Sequence, residues 1–125
     1  MTRSPLFAAA EADDSAALLA LLARPDSAGP DARGPYGLTP LMRAAQKGSA
    51  RALEALLARG AAPDATDEAG NTALMYAAAR GQRACAEKLL AAGASKAHRN
   101  KFGLGASDWS VWPGDGRDIR DLVQD

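Results

Sequence analysis

The 125-residue chain contains one cysteine, Cys85, and one histidine, His98. A lone cysteine cannot close an internal disulfide, and a structural zinc site wants four nitrogen or sulfur ligands. Disulfide-stapled and zinc-organised folds are excluded, and the single thiol fits a reducing compartment. Net charge is also missing, because 15 Lys and Arg balance 15 Asp and Glu. Recognition of nucleic acid or of an anionic membrane normally shows as a basic footprint, so neither is an expected partner. No apolar run approaches the ~18 residues of a membrane span. Met1-Thr-Arg-Ser-Pro lacks the charged start and apolar stretch of a secretory signal. The expectation is a soluble, cytoplasmic protein.

Catalytic signatures are equally sparse. Neither a Gly-x-Gly-x-x-Gly nor a Gly-x-x-x-x-Gly-Lys-Ser/Thr phosphate loop occurs. A Ser-His-Asp site would have to use His98, and the nearest candidates, Ser107 and Asp108, stand at no supporting spacing. His98 instead opens the turn His98–Gly103 and reads as a polar turn residue. No enzyme, cofactor or metal is expected. Aromatics make up only 5% of the chain against 47% hydrophobic residues. The core is therefore built from Ala and Leu, which means closely approaching helices.

What the chain does have is a period. Adding 33 carries Gly37 to Gly70, Thr39 to Thr72, Leu41 to Leu74, Ala44-Ala45 to Ala77-Ala78, Gly48 to Gly81, Leu56-Leu57 to Leu89-Leu90 and Gly60-Ala61 to Gly93-Ala94. Self-similarity at a fixed spacing of this length marks a stacked-repeat protein. The pattern Gly-x-Thr-Pro/Ala-Leu-Met-x-Ala-Ala-x-x-Gly, followed by Leu-Leu-x-x-Gly-Ala, resembles the ankyrin repeat. The resemblance implies an all-α solenoid of four helix-turn-helix units joined by β-hairpin-like turns, usually binding a protein.

The chain reads as a single domain of units at about 1–33, 34–66, 67–99 and 100–125. In the first, Ser4-Pro5-Leu6 aligns with Thr39-Pro40-Leu41 at an offset of 35, and Ser4 before Pro5 is a helix N-cap with proline at the first helical position. Glu11–Ser15 stands where later units have a helix-breaking glycine, with Asp or Ser available as the next cap. Leu18, Leu21 and Leu22 recur at the spacing of one buried helical stripe. Cys85, among small apolar neighbours, reads as inert packing. In the fourth unit Gly105 replaces the Thr and Ser107 the Leu, while Asp108-Trp109 resembles the ending of terminal ankyrin repeats. Trp112–Gly116 forms the next turn, and Ile119, Leu122 and Val123 face inward. Both ends read as caps, although an ankyrin domain cut from a larger protein is an alternative.

The resemblance places partner contacts on the turn tips and on the solvent face of each first helix. On the tips these are Tyr36, Leu38, Lys101 and Phe102. On the helices they are Arg43, Gln46, Lys47, Tyr76, Arg80, Trp109 and Trp112. For the two tryptophans the competing reading is closure of the last repeat's core. Interface hot spots favour Trp, Tyr and Arg. Arg43, Lys47, Arg80 and Lys101 point to an acidic surface on the protein partner. The leading reading is a monomeric binding module acting as adaptor, inhibitor or immunity-type protein. A self-associating structural protein is the alternative. The Ala-, Arg- and Gly-rich composition hints at a bacterial source.

Overall fold

The computed structural model describes residues 4–25, 29–109 and 122–123. Within them the chain forms α1 (Pro5–Glu11), α2 (Ser15–Leu22), α3 (Pro40–Lys47), α4 (Ala50–Ala58), α5 (Ala73–Ala79), α6 (Arg83–Ala91) and α7 (Ala106–Trp109), and no strand. The first helices of the repeats, α1, α3, α5 and α7, pack successively against one another as one layer. The second helices, α2, α4 and α6, form the other. This is the all-α solenoid expected from the period.

The repeated residues explain the layers. Thr39 and Thr72 cap α3 and α5, their hydroxyl oxygens accepting the amides of Met42 at 3.3 Å and Met75 at 3.4 Å. Ala44, Ala45, Ala77 and Ala78 are buried, and their small side chains let successive first helices approach closely. Leu41, Leu53, Leu56, Leu74 and Leu89 fill the space between layers. Each such fully buried side chain contributes about 1.5–3 kcal/mol. After α4 the chain reverses at Gly60 (φ 93°), with Gly60 N–H donating to Leu57 O and Ala61 N–H to Leu56 O, a left-handed helix stop that α6 repeats.

Several local expectations need correction. Ser4 stands at the N-cap of α1 but makes no side-chain capping bond, so Pro5 at the first turn starts that helix. In α2 only Leu18 is fully buried; Leu21 and Leu22 are half-buried and pack partly against the core. In the fourth unit Asp108 replaces the missing threonine cap. Its Oδ2 accepts the Gly105 amide at 2.7 Å, the reverse half of a capping box. Val123 is buried and Leu122 packs partly against the core, as expected. Ile119 and the turn at Trp112–Gly116 lie outside the described residues.

The seam between the first two units is cross-linked at the helix ends. The Ser49 hydroxyl donates to the Glu11 carbonyl at 3.1 Å, and Asp13 Oδ1 accepts the Ala52 amide at 2.8 Å. At the next seam Gln82 donates to the Gln46 carbonyl at 3.4 Å, but Gly48 occupies the place of Asp13.

Candidate protein-binding face

Three turn tips, Gly34–Leu38, Asp67–Asn71 and Asn100–Leu104, share one construction. The first residue donates its amide to the carbonyl of the fifth, at 2.7, 3.0 and 2.9 Å. Neighbouring tips are also joined: Glu68 N–H donates to Tyr36 O and Lys101 N–H to Ala69 O, both at 3.0 Å. The tips are thus a continuous row and not independent loops.

Side chains reinforce the last two tips. Asp67 Oδ1 accepts the amides of Ala69 at 3.0 Å and Asn71 at 2.9 Å, and Asn100 Oδ1 accepts those of Phe102 at 2.8 Å and Leu104 at 3.0 Å. Asn100 also donates to Asn71 Oδ1 at 2.8 Å. Gly34 has no side chain to do this. Its tip is a short 3-10 turn, Pro35–Gly37, in which Tyr36 takes the left-handed conformation (φ 61°). That region costs an ordinary residue roughly 1–2 kcal/mol. Arg33 compensates in part by donating to Gly37 O at 2.8 Å and Thr66 O at 2.6 Å.

Tyr36 is 77% exposed and Phe102 75%. Both rings therefore project from the row of tips, with the small Ala69 between them. Leu38, the last residue of its tip, is half-buried and packs partly against the core. Lys101 is exposed beside Phe102.

In the 33-residue register of the sequence, Arg43, Tyr76 and Trp109 stand at equivalent positions, as do Gln46, Ala79 and Trp112. Arg43 does not stand free: its guanidinium meets Glu11 Oε1 and Gln46 Oε1, each at 2.5 Å. Lys47 and Arg80 are exposed and, like Lys101, have no carboxylate partner among the described residues. Trp109 ends α7, and Trp112 lies outside the described residues.

The Tyr76 hydroxyl donates to Asp67 Oδ2, which fastens α5 to its tip. Burial, reinforced by this bond to a carboxylate, pushes the Tyr76 hydroxyl up to about 12. Beside the ring lies a pocket of about 190 Å³ lined by Gln46, Asn71, Met75, Tyr76, Ala79 and Arg80. It exists because Ala79 is short where the preceding repeat carries Gln46. Three of its residues, Gln46, Tyr76 and Arg80, belong to the contact set expected from sequence.

His98 and Cys85 take no part in this face. The His98 Nε2 donates to Gly70 O at 2.9 Å, tying the fourth unit's approach to the Asp67–Asn71 tip, a more specific role than a polar turn residue. Cys85 is 1% exposed, and burial, aided by the Asp13 carboxylate, pushes its thiol up to about 11. Among the described residues no group of three His, Cys, Asp or Glu side chains could hold a metal ion, and no helix is long and apolar enough to cross a membrane.

Stacked helix pairs with a bonded row of turn tips define a repeat scaffold whose exposed face is free of the folding pattern. The chain belongs to the ankyrin repeat family: a family model described as ankyrin repeats (3 copies) matches residues 3–100. The stack continues past the match, since α7 packs on α5. Ankyrin repeats are generally non-catalytic protein–protein interaction modules. No curated protein matches the chain.

Proposed function

We propose that the tips and first helices bind a protein partner, with Tyr36 and Phe102 as the outer contacts and Gln46, Tyr76 and Arg80 as the inner ones. The observation that carries this reading is the exposure of Tyr36 and Phe102, two large rings that contribute little to the fold. An aromatic ring gains much contact area for little lost side-chain freedom, which is why such residues dominate interface energetics. Lys47, Arg80 and Lys101 favour an acidic partner surface; Arg43 adds less, since Glu11 already neutralises it. A monomer that masks or recruits its partner, as adaptor, inhibitor or immunity-type protein, fits this arrangement.

The test is affinity capture from the native lysate with the wild-type chain and with Tyr36→Ala plus Phe102→Ala, read by mass spectrometry. A protein retained by the wild type and lost from the double variant supports the reading. An identical set retained by both would sink it. Sedimentation at micromolar concentration separates it from the self-associating alternative, which requires a dimer or larger species.

A further inference from the structure

The pocket between α3 and α5 combines an aromatic residue, apolar side chains and a cation. Its lining includes the aromatic Tyr76, the apolar Met75 and Ala79, and the amide-bearing Gln46 and Asn71. Arg80, the residue that ends α5, stands exposed on its lip with no carboxylate partner among the described residues. One register earlier Lys47 is also exposed and likewise lacks such a partner. The one acidic group nearest the ring, Asp67, is occupied by Tyr76 and two backbone amides.

Size and charge then select the occupant. A cavity of about 150 Å³ accommodates benzene, and this pocket measures about 190 Å³. A single aromatic side chain fits, and aromatic and thioether walls favour a ring through edge and sulfur contacts. The cation on the lip favours a carboxylate beside that ring, through a charge-assisted hydrogen bond that a guanidinium forms well.

We infer that this pocket is the anchor site for a partner segment that presents an aromatic side chain next to a carboxylate, the ring entering beside Tyr76 and the carboxylate meeting Arg80. The inference rests on the protein-binding reading above and adds the chemistry of its central contact.

N-acetyl-phenylalanine carries both groups in one small molecule and is the probe. Titrated into the ¹⁵N-labelled full chain, it produces saturable shifts at the amides of Tyr76, Ala79 and Arg80, with affinity on the order of millimolar for a ligand of this size. N-acetyl-phenylalanine amide, which keeps the ring and loses the charge, binds about fivefold more weakly. Acetylglycine, which keeps the charge and loses the ring, gives no saturable shift. Arg80→Met brings the acid down to the level of the amide and leaves the amide unchanged, and Ala79→Leu, which fills the pocket, removes both. Equal binding of acid and amide, an unchanged titration in Arg80→Met, or shifts that do not saturate would each overturn the inference. Partner capture that depends on Tyr36 and Phe102 is read separately, so a pocket that takes no probe defeats this inference while leaving the broader binding role intact.

Discussion

Asp13 Oδ1 accepts the backbone amide of Ala52 at 2.8 Å, so a residue of the first repeat caps a helix of the second. Ser49, which stands at the N-cap of α4, makes no capping bond of its own and instead gives its hydroxyl to the Glu11 carbonyl. Each helix end is thus satisfied by the other repeat, which couples the two units energetically. Asp13 also takes the left-handed conformation (φ 57°) that later repeats assign to glycine.

This dual role predicts a particular order of variants. Asp13→Ala loses the cap and keeps the backbone strain, costing about 1–2 kcal/mol. Asp13→Gly loses the cap but relieves the strain and costs less. Asp13→Asn, which can accept the same bond and tolerates the left-handed region, stays nearest to wild type. Urea denaturation checks the order, and an Asp13→Ala midpoint equal to wild type would remove the cross-cap from the account of stability.

Tyr36 presents the opposite balance. Its backbone is strained and its ring is exposed, so the fold gains little from this side chain. Strained backbone concentrates at functional sites, where another requirement holds it in place. Tyr36→Gly is expected to raise stability by about 1 kcal/mol while weakening partner capture. A variant that loses stability, measured by thermal melting, would show that the ring supports the tip after all.

The helices, their caps at Thr39 and Thr72 and the alanine-lined approach of α3 to α5 were legible because those residues recur at the repeat period. The exposed rings of Tyr36 and Phe102 were legible for the complementary reason, as large residues at positions the turn leaves free. The pairing of Arg43 with Glu11 was not legible, because Glu11 lies 32 positions away on a different helix and only stacking brings them together. That Leu38, the last residue of its tip, also packs partly against the core was not legible, because no spacing in the sequence announces it. The pocket had a faint signal, Ala79 in register with Gln46, but a short side chain at one position reads as a cavity only once its neighbours are placed. The difference in tip conformation was readable in principle, from Gly34 standing where Asp67 and Asn100 supply bonding side chains.

Cys85 is buried with its thiol pushed up to about 11. Thiolate is the reactive form, so this cysteine is doubly protected, by access and by protonation. Labelling with a disulfide reagent at pH 8 should proceed only through opening of the stack and run at least ~10³ times slower than in the urea-unfolded chain. Labelling at near-unfolded rates under native conditions would contradict the packing role. Cys85→Ala, which shrinks the side chain without adding a polar group, is expected to cost about 1 kcal/mol.

Burial of the Tyr76 hydroxyl, reinforced by its bond to Asp67, gives stability a signature at high pH. The folded chain holds that hydroxyl proton up to about 12, against an ordinary value of 10.0. Between those values the unfolded chain has released the proton and the folded chain has not. The unfolded state therefore binds fewer protons, and stability falls as pH rises through this window. The contribution is fully present below pH 10.0 and is lost as pH passes 12. With one side of the ring open to the pocket, solvent screening reduces the expected loss to about 1 kcal/mol. Tyr76→Phe isolates the effect. At pH 7 it costs about 1–2 kcal/mol by leaving Asp67 Oδ2 without its hydroxyl donor. That difference from wild type should narrow above pH 10, since other titrating groups contribute equally to both chains. Guanidinium denaturation of the pair at pH 7, 9, 10.5 and 11.5 measures it, and a difference that stays constant across the series would show that the Tyr76 hydroxyl titrates alike in the folded and unfolded chains.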